Sequence, residues 1–323
     1  RKNMQEPLFI QPVLQEKIWG GTKLRDIYGY DIPSDHTGEC WAISAHPDGT
    51  GAVENGTYAG TKLDVLYAEH PELFENPTSP VFPLLTKIID AAEALSVQVH
   101  PDDAYGLKHE GELGKTECWY IIDADDDAEI IYGHNAQTKE QFSEMVAAGD
   151  WEGLLRHVKV KKGDFFFVPS GTIHAIGGGI TILETQQSSN TTYRVYDFDR
   201  KDDQGNTRDL HIQQSIDVSM IPHKDPANHF ETSTVDGNTV TTFIESDYFT
   251  VYKWNILSEL AFKKTAPYTL GSVIEGSGSL TVAGKVYPLH KGDHFILPAT
   301  VSAWTLSGSN MELIASTPGP KNS

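Results

Sequence analysis

Gly163-Asp-Phe-Phe-Phe-Val-Pro169-Ser-Gly171-Thr-Ile-His174 is the stretch of sequence that decides the fold of this chain. A glycine–aspartate turn precedes an apolar strand, a Pro-x-Gly turn ends that strand, and a histidine follows at the next strand. The same order returns in Gly292-Asp-His-Phe-Ile-Leu-Pro298-Ala-Thr300-Val-Ser-Ala303. In this second copy Thr300 replaces Gly171 and Ala303 replaces His174. The repeat predicts two related β-barrels, of which only the first retains a histidine suited to metal binding.

Short β-rich segments separated by turn residues make up most of the chain, which predicts a mainly β fold with a few additional helices. The longest pattern with helical spacing runs from Thr138 to His157, with Thr138 as its N-cap. The polar stretch from Pro222 to Thr241 lacks apolar periodicity and is therefore predicted to be a linker. We accordingly expect a first domain at residues 1–225, with helical insertions, and a degenerate second domain at residues 226–323.

The composition excludes several classes of partner. Asp and Glu number 45 against 25 Lys and Arg, which gives a net charge of −20. This charge repels nucleic acid and anionic lipid, and no apolar run reaches the roughly 18 residues of a membrane span, so neither partner is expected. The two cysteines form no disulfide framework, and residues 1–7 lack the apolar stretch of a secretory signal, so we expect a cytoplasmic protein. The oligomeric state is not indicated, and a monomer is compatible with these features.

Two segments with period-two alternation supply the polar groups of a predicted site. In Ser96-Val-Gln98-Val-His100 a strand places Ser96, Gln98 and His100 on one face and both valines on the other. In Lys115-Thr-Glu117-Cys-Trp119 the face consists of Lys115, Glu117 and Trp119. Each segment alone is equally compatible with an exposed polar face. A carboxylate inside a barrel, however, requires a cation or strong donors, which would make Glu117 a metal ligand or an ion-pair partner.

The combination of these segments resembles the cupin family. Gly163-x5-Pro169-x-Gly171-x2-His174 matches the second cupin motif up to its histidine, whereas Gly178 stands where the family usually has an asparagine. A ligand-x-His pair followed by a glutamate resembles the first motif, with Gln98 in place of its first histidine. An insertion, Pro101–Gly114, separates that pair from Glu117. The resemblance implies two cupin-type (jelly-roll) barrels, the second without metal ligands.

Along nearly its whole length the chain also resembles the small bacterial type I mannose-6-phosphate isomerases. The stretches that carry this resemblance are Trp19-Gly-Gly21 with Leu24, Gly38–Gly49, Leu95–Asp103, Gly114–Tyr120, Pro169–His174 and Asn190–Asp197. The resemblance implies one Zn2+ per chain held by Gln98, His100, Glu117 and His174. It also places a catalytic arginine at Arg194, an acidic residue near the site at Glu184, and a catalytic role at Lys115. The phosphate of the substrate is expected at Ser96, Lys115 and Arg194.

These residues suit an aldose–ketose isomerisation that interconverts mannose 6-phosphate and fructose 6-phosphate through a cis-enediol. Glu184 is the first candidate for the base that moves the proton between the two carbons, and a metal-bound hydroxide is the second. Lys115, Arg194 and the metal would attract a phosphosugar against the negative field of the chain, and Lys87 could add to them. Arg194 is also compatible with a surface ion pair to Asp197 or Asp199.

Two other functions remain open from the sequence. Two histidines and one carboxylate also form the iron site of Fe(II)-dependent oxygenases, although Gln98 would occupy a position that oxygen chemistry needs open. A non-catalytic sugar-binding cupin is the second alternative.

Overall fold

The computed structural model describes residues 5–322, which form 22 strands and six α-helices. The strands are β1 (Leu8–Phe9), β2 (Val13–Gly21), β3 (Thr37–Ile43), β4 (Leu84–Ala91), β5 (Val97–Val99), β6 (Glu117–Ala124), β7 (Glu129–His134), β8 (Leu155–Lys159), β9 (Phe165–Val168), β10 (His174–Ile176), β11 (Ile180–Gln187), β12 (Tyr193–Tyr196), β13 (Glu231–Val235), β14 (Asn238–Glu245), β15 (Phe249–Ile256), β16 (Glu259–Lys263), β17 (Thr269–Glu275), β18 (Ser277–Val282), β19 (Lys285–His290), β20 (His294–Leu297), β21 (Ala303–Gly308) and β22 (Met311–Pro318).

The helices are short and lie between strands. They are α1 (Lys23–Asp26), α2 (Leu63–Glu69), α3 (Asp103–His109), α4 (Lys139–Ala147), α5 (Trp151–Leu154) and α6 (Ile212–Val218). Across residues 5–322 none of them has the length and apolar composition that crossing a membrane requires.

Four antiparallel sheets carry the fold. The six-stranded sheet has the order β2-β3-β4-β11-β6-β9, and the five-stranded sheet has the order β12-β5-β10-β7-β8. The seven-stranded sheet has the order β1-β20-β17-β22-β15-β14-β13, and the four-stranded sheet has the order β16-β21-β18-β19. Each pair of sheets forms one jelly-roll-like unit, as the resemblance to cupins predicted. The N-terminal strand β1 pairs with β20, so the first segment of the chain contributes to the sheet of the second unit.

The two units pack back to back through the six-stranded and seven-stranded sheets. Alternation along β6 shows how this happens, because Trp119 and Ile121 point into the first unit while Cys118 and Tyr120 point towards the second. The core between the units joins side chains of β3, β4, β6 and β11 to others from β15, β17, β20 and β22. A separate core fills the second unit, and α4 to α6 cover the outer face of the five-stranded sheet. The four sheets therefore form successive layers: the four-stranded and seven-stranded sheets of the second unit are followed by the six-stranded and five-stranded sheets of the first.

The internal repeat has the same backbone conformation at its first glycine in both copies. Gly163 and Gly292 adopt φ angles of 92° and 93°, in the left-handed region that glycine enters without steric cost. Each glycine precedes the corresponding strand, β9 or β20, and each Pro-turn leads to β10 or β21. Ala303 begins β21 where His174 begins β10, so the second unit lacks the histidine at this position.

The predicted linker and the predicted long helix are both wrong in part. Residues 231–241 of the proposed linker belong to the hairpin of β13 and β14, whose turn residues Asp236 and Gly237 adopt φ angles of 53° and 82°. All five residues of β13 are exposed, so no apolar alternation marks it as a strand. Thr138 does cap α4 by accepting a hydrogen bond from Gln141, but α4 ends at Ala147, before the left-handed Gly149.

The back-to-back packing predicts that both units unfold together. Phe74 is fully buried between them and contacts the rings of Phe82 and Tyr268 at centroid distances of 5.7 and 5.3 Å. We expect Phe74→Ala to lower the free energy of unfolding by about 3–5 kcal/mol, because it leaves a cavity at this junction. Denaturant unfolding followed by fluorescence and circular dichroism should show one transition, shifted as a whole.

Val65→Ala is the matched control, because Val65 lies on the nearby helix α2 with 39% of its surface exposed. It should change the free energy of unfolding by no more than about 0.5 kcal/mol. Two separate transitions, of which Phe74→Ala shifts only one, would contradict a shared core.

Candidate active site

One pocket between the five-stranded and six-stranded sheets collects every residue that the sequence predicted for the site. These residues are Ser96, Gln98, His100, Lys115, Glu117, His174, Glu184 and Arg194. Gln98, His174 and Arg194 lie on neighbouring strands of the five-stranded sheet, where Gln98 pairs with His174 on one side and Arg194 on the other. The valines that flank Gln98 point to the opposite face and pack under the helices, as the alternation predicted.

His100, Glu117 and His174 form the centre of the pocket. Nitrogen atoms of the two imidazoles and a carboxylate oxygen of Glu117 lie within 4.8 Å of one another. The Nε2 atoms of His100 and His174 are 3.2 and 3.0 Å from Glu117 Oε1. Within residues 5–322 this is the single cluster of three or more His, Cys, Asp and Glu side chains with metal-binding spacing.

Backbone carbonyls fix the orientation of both imidazoles. His100 Nδ1 lies 2.9 Å from the carbonyl oxygen of Thr191, and His174 Nδ1 lies 2.8 Å from that of Thr172. A carbonyl can only accept, so each Nδ1 carries a proton and donates it. In the neutral rings both Nε2 atoms then present lone pairs to Glu117. Burial, reinforced by the charge of Lys115, lowers the pKa of His100 to about 3, so this ring is neutral near pH 7.

This arrangement fits a bound divalent cation. Two Nε2 lone pairs and a carboxylate oxygen converge at distances where they would repel one another, and a shared cation reconciles them. Metal-binding histidines characteristically donate the other ring N–H to a carbonyl or carboxylate, as both rings do here. Gln98 donates from its amide nitrogen to the carbonyl of Ser96 at 3.1 Å, which leaves its amide oxygen as a further candidate ligand.

Lys115 compensates the buried charge of Glu117. Its Nζ lies 2.6 Å from Glu117 Oε2 and 3.3 Å from His100 Nε2. Burial alone would raise the pKa of Glu117, but the adjacent ammonium of Lys115 outweighs burial and holds that pKa well below its ordinary value. Glu117 is therefore ionised although only 1% of its surface is exposed.

Glu184 is a second buried carboxylate in the same pocket. It accepts a hydrogen bond of 2.9 Å from the indole N–H of Trp119, and its Oε1 lies 3.9 Å from Lys115 Nζ. Burial, reinforced by the charge of Glu117, raises the pKa of Glu184 above its ordinary value. With a pKa raised to about 8, this group can both take up and release a proton near neutral pH, so it suits reversible proton transfer.

Several pocket residues were not assigned from the sequence. Lys87 is predicted only as an additional positive charge, and in the structure its Nζ pairs with the carboxylate of Glu39, 3.4 Å away. Burial opposes ionisation of Glu39, but Lys87 and Lys17 overcome it and lower the pKa of Glu39 to about 2. This ion pair joins β3 to β4. Because these strands are far apart in sequence, no local sequence pattern predicts which of their residues lie side by side. The other unassigned polar lining residues are Lys17, Asn190, Thr192 and Arg208.

Arginines give one end of the pocket an excess of positive charge. Asp197 does not pair with Arg194, because its carboxylate accepts hydrogen bonds of 2.7 Å from Arg200 and of 2.8 and 2.9 Å from Arg208. Arg194 donates to the carbonyl oxygen of Asp209 at 3.2 Å, while its buried Nε finds no acceptor among residues 5–322. Burial and the charge of Arg208 both lower the pKa of Arg194. Two guanidinium groups thus engage the buried carboxylate of Asp197, and Arg194 has donors left for an anionic ligand.

Comparison with known proteins identifies the family. The family model described as phosphomannose isomerase type I, catalytic domain, matches residues 8–139, and that described as mannose-6-phosphate isomerase, cupin domain, matches residues 239–318. A mannose-6-phosphate isomerase from Streptococcus mutans is 61% identical over 314 residues, which cover 97% of this chain and 98% of the relative. Mannose-6-phosphate isomerase ManA from Bacillus subtilis is 54% identical over 304 residues, which cover 94% of this chain and 96% of the relative.

The fold agrees with a solved structure over almost all of both chains. The crystal structure of mannose 6-phosphate isomerase from Bacillus subtilis superposes with a TM-score of 0.94 at 52% identity, covering 97% of this chain and 99% of the other. These relatives match nearly the whole sequence at more than 50% identity. The solved structure and both family models point to the same family. This chain therefore belongs to the type I mannose-6-phosphate isomerases and is an enzyme of the isomerase class.

Proposed function

We propose that this chain interconverts mannose 6-phosphate and fructose 6-phosphate through a cis-enediol intermediate, with one zinc ion per chain. The observation that carries the proposal is the convergence of a metal-binding triad, the basic carboxylate Glu184 and the arginine-rich end in a single pocket. Membership of the isomerase family supports the same reaction. We also propose a cytoplasmic location, which is consistent with two buried cysteines that remain free thiols.

Gln98, His100, Glu117 and His174 are the residues that would hold the metal. Their imidazole, carboxylate and amide groups form a donor set that suits zinc. When bound, zinc would polarise the oxygens on the reacting carbons of the sugar and stabilise negative charge there. Lys115 contributes from the protein side, because its ammonium neutralises Glu117 and lies near Glu184.

Glu184 is the proposed base. Its carboxylate takes the proton from C2 of the aldose as the oxygen on C1 gains a proton from solvent, which produces the cis-enediol. The same group returns the proton to C1 while the hydroxyl on C2 loses its proton to solvent, which completes the ketose. The indole N–H of Trp119 holds one oxygen of Glu184 at 2.9 Å and so directs the carboxylate.

The phosphate of the substrate is proposed to bind at the arginine-rich end, with Arg194 and Arg208 as its principal partners. A guanidinium presents a planar fork of donors that matches a phosphate. The carboxylate of Asp197 accepts two hydrogen bonds from the guanidinium of Arg208 and so fixes its orientation. Ser96 is a further proposed partner, because its hydroxyl accepts from Gln98 at 3.4 Å and keeps its own proton to donate. Lys115, also expected at the phosphate, is engaged by Glu117, which favours its catalytic role.

Removal of the metal should abolish isomerase activity, and added zinc should restore it. We expect His174→Ala to lose the bound zinc because it removes one of the two imidazole ligands, as measured by metal analysis of purified protein and a coupled mannose 6-phosphate assay. His157→Ala is the control, since this half-exposed histidine lies outside the pocket. Full zinc content in His174→Ala, or turnover that requires oxygen, would contradict the proposal and point to the oxygenase alternative.

Glu184→Gln should lower kcat by about 100- to 10,000-fold with little change in KM, because the amide can accept from Trp119 but cannot take a proton. Exchange of the C2 proton with solvent deuterium should be lost in parallel. Glu129→Gln, an exposed strand glutamate, should behave like the wild type. Deuterium exchange at the wild-type rate in Glu184→Gln would assign proton transfer to another group.

Arg208→Gln should raise KM for mannose 6-phosphate by about 10- to 100-fold, because the phosphate loses charge-assisted hydrogen bonds. Inhibition by inorganic phosphate should weaken by a similar factor, while kcat falls much less. Arg25→Gln is the control, since Arg25 is an exposed arginine that does not line the pocket. An unchanged KM and an unchanged phosphate inhibition constant would exclude Arg208 from the phosphate site.

A further inference from the structure

The insertion Pro101–Gly114, which separates the two halves of the first cupin-like motif, carries a carboxylate that receives four hydrogen bonds. That carboxylate belongs to Glu112. Its Oε1 accepts from His46 Nε2 at 2.8 Å, and its Oε2 accepts from Thr191 Oγ1 at 2.6 Å, from the backbone N–H of Asn190 at 3.1 Å and from Ser189 Oγ at 3.3 Å. Three consecutive residues between β11 and β12 are therefore tied to one side chain.

The fourth donor, His46, is itself fixed. The backbone N–H of Asp48 donates to His46 Nδ1 at 3.1 Å, so in the neutral ring the proton lies on Nε2 and faces Glu112. Only 6% of the His46 side chain is exposed, and its ring packs against the edge of Trp41. Burial works against ionisation of Glu112, but the bonds from His46 and Thr191 outweigh it and lower the pKa of Glu112 to about 2.

The segment that Glu112 holds leads directly to the metal-binding triad. The carbonyl oxygen of Thr191 accepts the Nδ1–H of His100 at 2.9 Å, which is the contact that turns His100 Nε2 towards Glu117. Residues 188–192 lie between β11 and β12 and belong to neither strand. No sheet ladder therefore sets the direction of the Thr191 carbonyl. The segment is held instead by its three bonds to Glu112, together with single bonds from Gln186 to Ser189 and from Asn190 to Asp48.

We propose that Glu112 is a positioning residue for the metal, acting through Thr191 to hold the imidazole of His100 in its metal-binding orientation. The inference rests on the proposed metal-dependent function. The chain of contacts runs from the insertion to Glu112, from Glu112 to Thr191, and from Thr191 to His100. Outer partners of metal-binding histidines typically change metal affinity by about 10- to 100-fold when they are altered. Glu112 lies one contact beyond Thr191, the direct partner of His100, and it bonds to all three residues 189–191.

Glu112→Gln tests this role with little change in volume. The amide has one acceptor oxygen instead of two, so its NH2 group must face either the Nε2–H of His46 or the three donors of residues 189–191. We expect zinc affinity, measured by competition with a chromogenic chelator, to weaken by about 10- to 100-fold. The visible absorption spectrum of the cobalt-substituted protein should change as well, because it reports the geometry around the metal.

Glu110→Gln is the matched control, since it removes the same charge from the same insertion. Glu110 accepts one hydrogen bond of 2.7 Å from the hydroxyl of Tyr193, which an amide oxygen can still accept, and it does not contact residues 189–191 through a hydrogen bond within residues 5–322. Zinc affinity and the cobalt spectrum of Glu110→Gln should match those of the wild type. Wild-type zinc affinity together with a wild-type cobalt spectrum in Glu112→Gln would overturn the proposal.

Thr191→Val provides a second variant that breaks the same connection, because it removes the hydroxyl bonded to Glu112 and keeps the carbonyl bonded to His100. If Glu112→Gln fails to fold, weaker zinc binding by Thr191→Val supports the proposal and unchanged binding overturns it. Failure of the proposed function has a different signature. In that case the wild type itself would neither bind zinc nor isomerise the sugar phosphate, whereas failure of the Glu112 proposal alone leaves both intact.

Discussion

The buried charge of Glu117 is the constraint on which the rest of the site depends. An ionised carboxylate that is almost completely removed from water costs several kcal/mol unless cations and donors surround it. Lys115 meets part of this requirement from the segment just before β6, two residues ahead of Glu117. The two Nε2 lone pairs of His100 and His174 do not stabilise this charge, since they add electron density beside the same carboxylate oxygen. A bound cation resolves this conflict, and the site is therefore organised for a metal before any substrate enters.

Back-to-back packing of the two units supplies the rigidity that such a site needs. The six-stranded sheet is buried on both faces, with Glu117 and Glu184 on the inner face and a large apolar core on the outer face. A shift of one residue in any of its strands would move apolar side chains into the pocket and charges into that core. The second unit therefore supports the pocket although none of the pocket-lining residues belongs to it within residues 5–322, because its seven-stranded sheet packs against the six-stranded one.

Local periodicity and spacing account for part of the predicted pocket lining, whereas Arg194 and Glu184 were expected there only from the family resemblance. Period-two alternation placed Gln98 and His100 on one face and Glu117 beside Lys115, and the Gly–Pro–Gly–His spacing located His174. The pairing of Glu39 with Lys87 depends on register between distant strands, and the approach of Arg208 depends on the path of a long loop. Neither leaves a local pattern. Strand β13 was taken for part of a linker for a related reason, since both of its faces are exposed and polar–apolar alternation is absent.

The distribution of charge within the pocket favours one orientation for a hexose 6-phosphate in the proposed reaction. On the side of the six-stranded sheet, Lys17, Lys87 and Lys115 are balanced by Glu39, Glu117 and Glu184, so the positive charge of that side would come from the proposed zinc ion, whose partners are the sugar oxygens. At the other end Arg194 and Arg208 exceed the single buried carboxylate of Asp197. Because C1 and C2 lie at the opposite end of the sugar from the phosphate, a phosphate at the arginines brings the reacting carbons towards Glu184. The local excess of positive charge thus overcomes the net charge of −20 and orients the substrate at the same time.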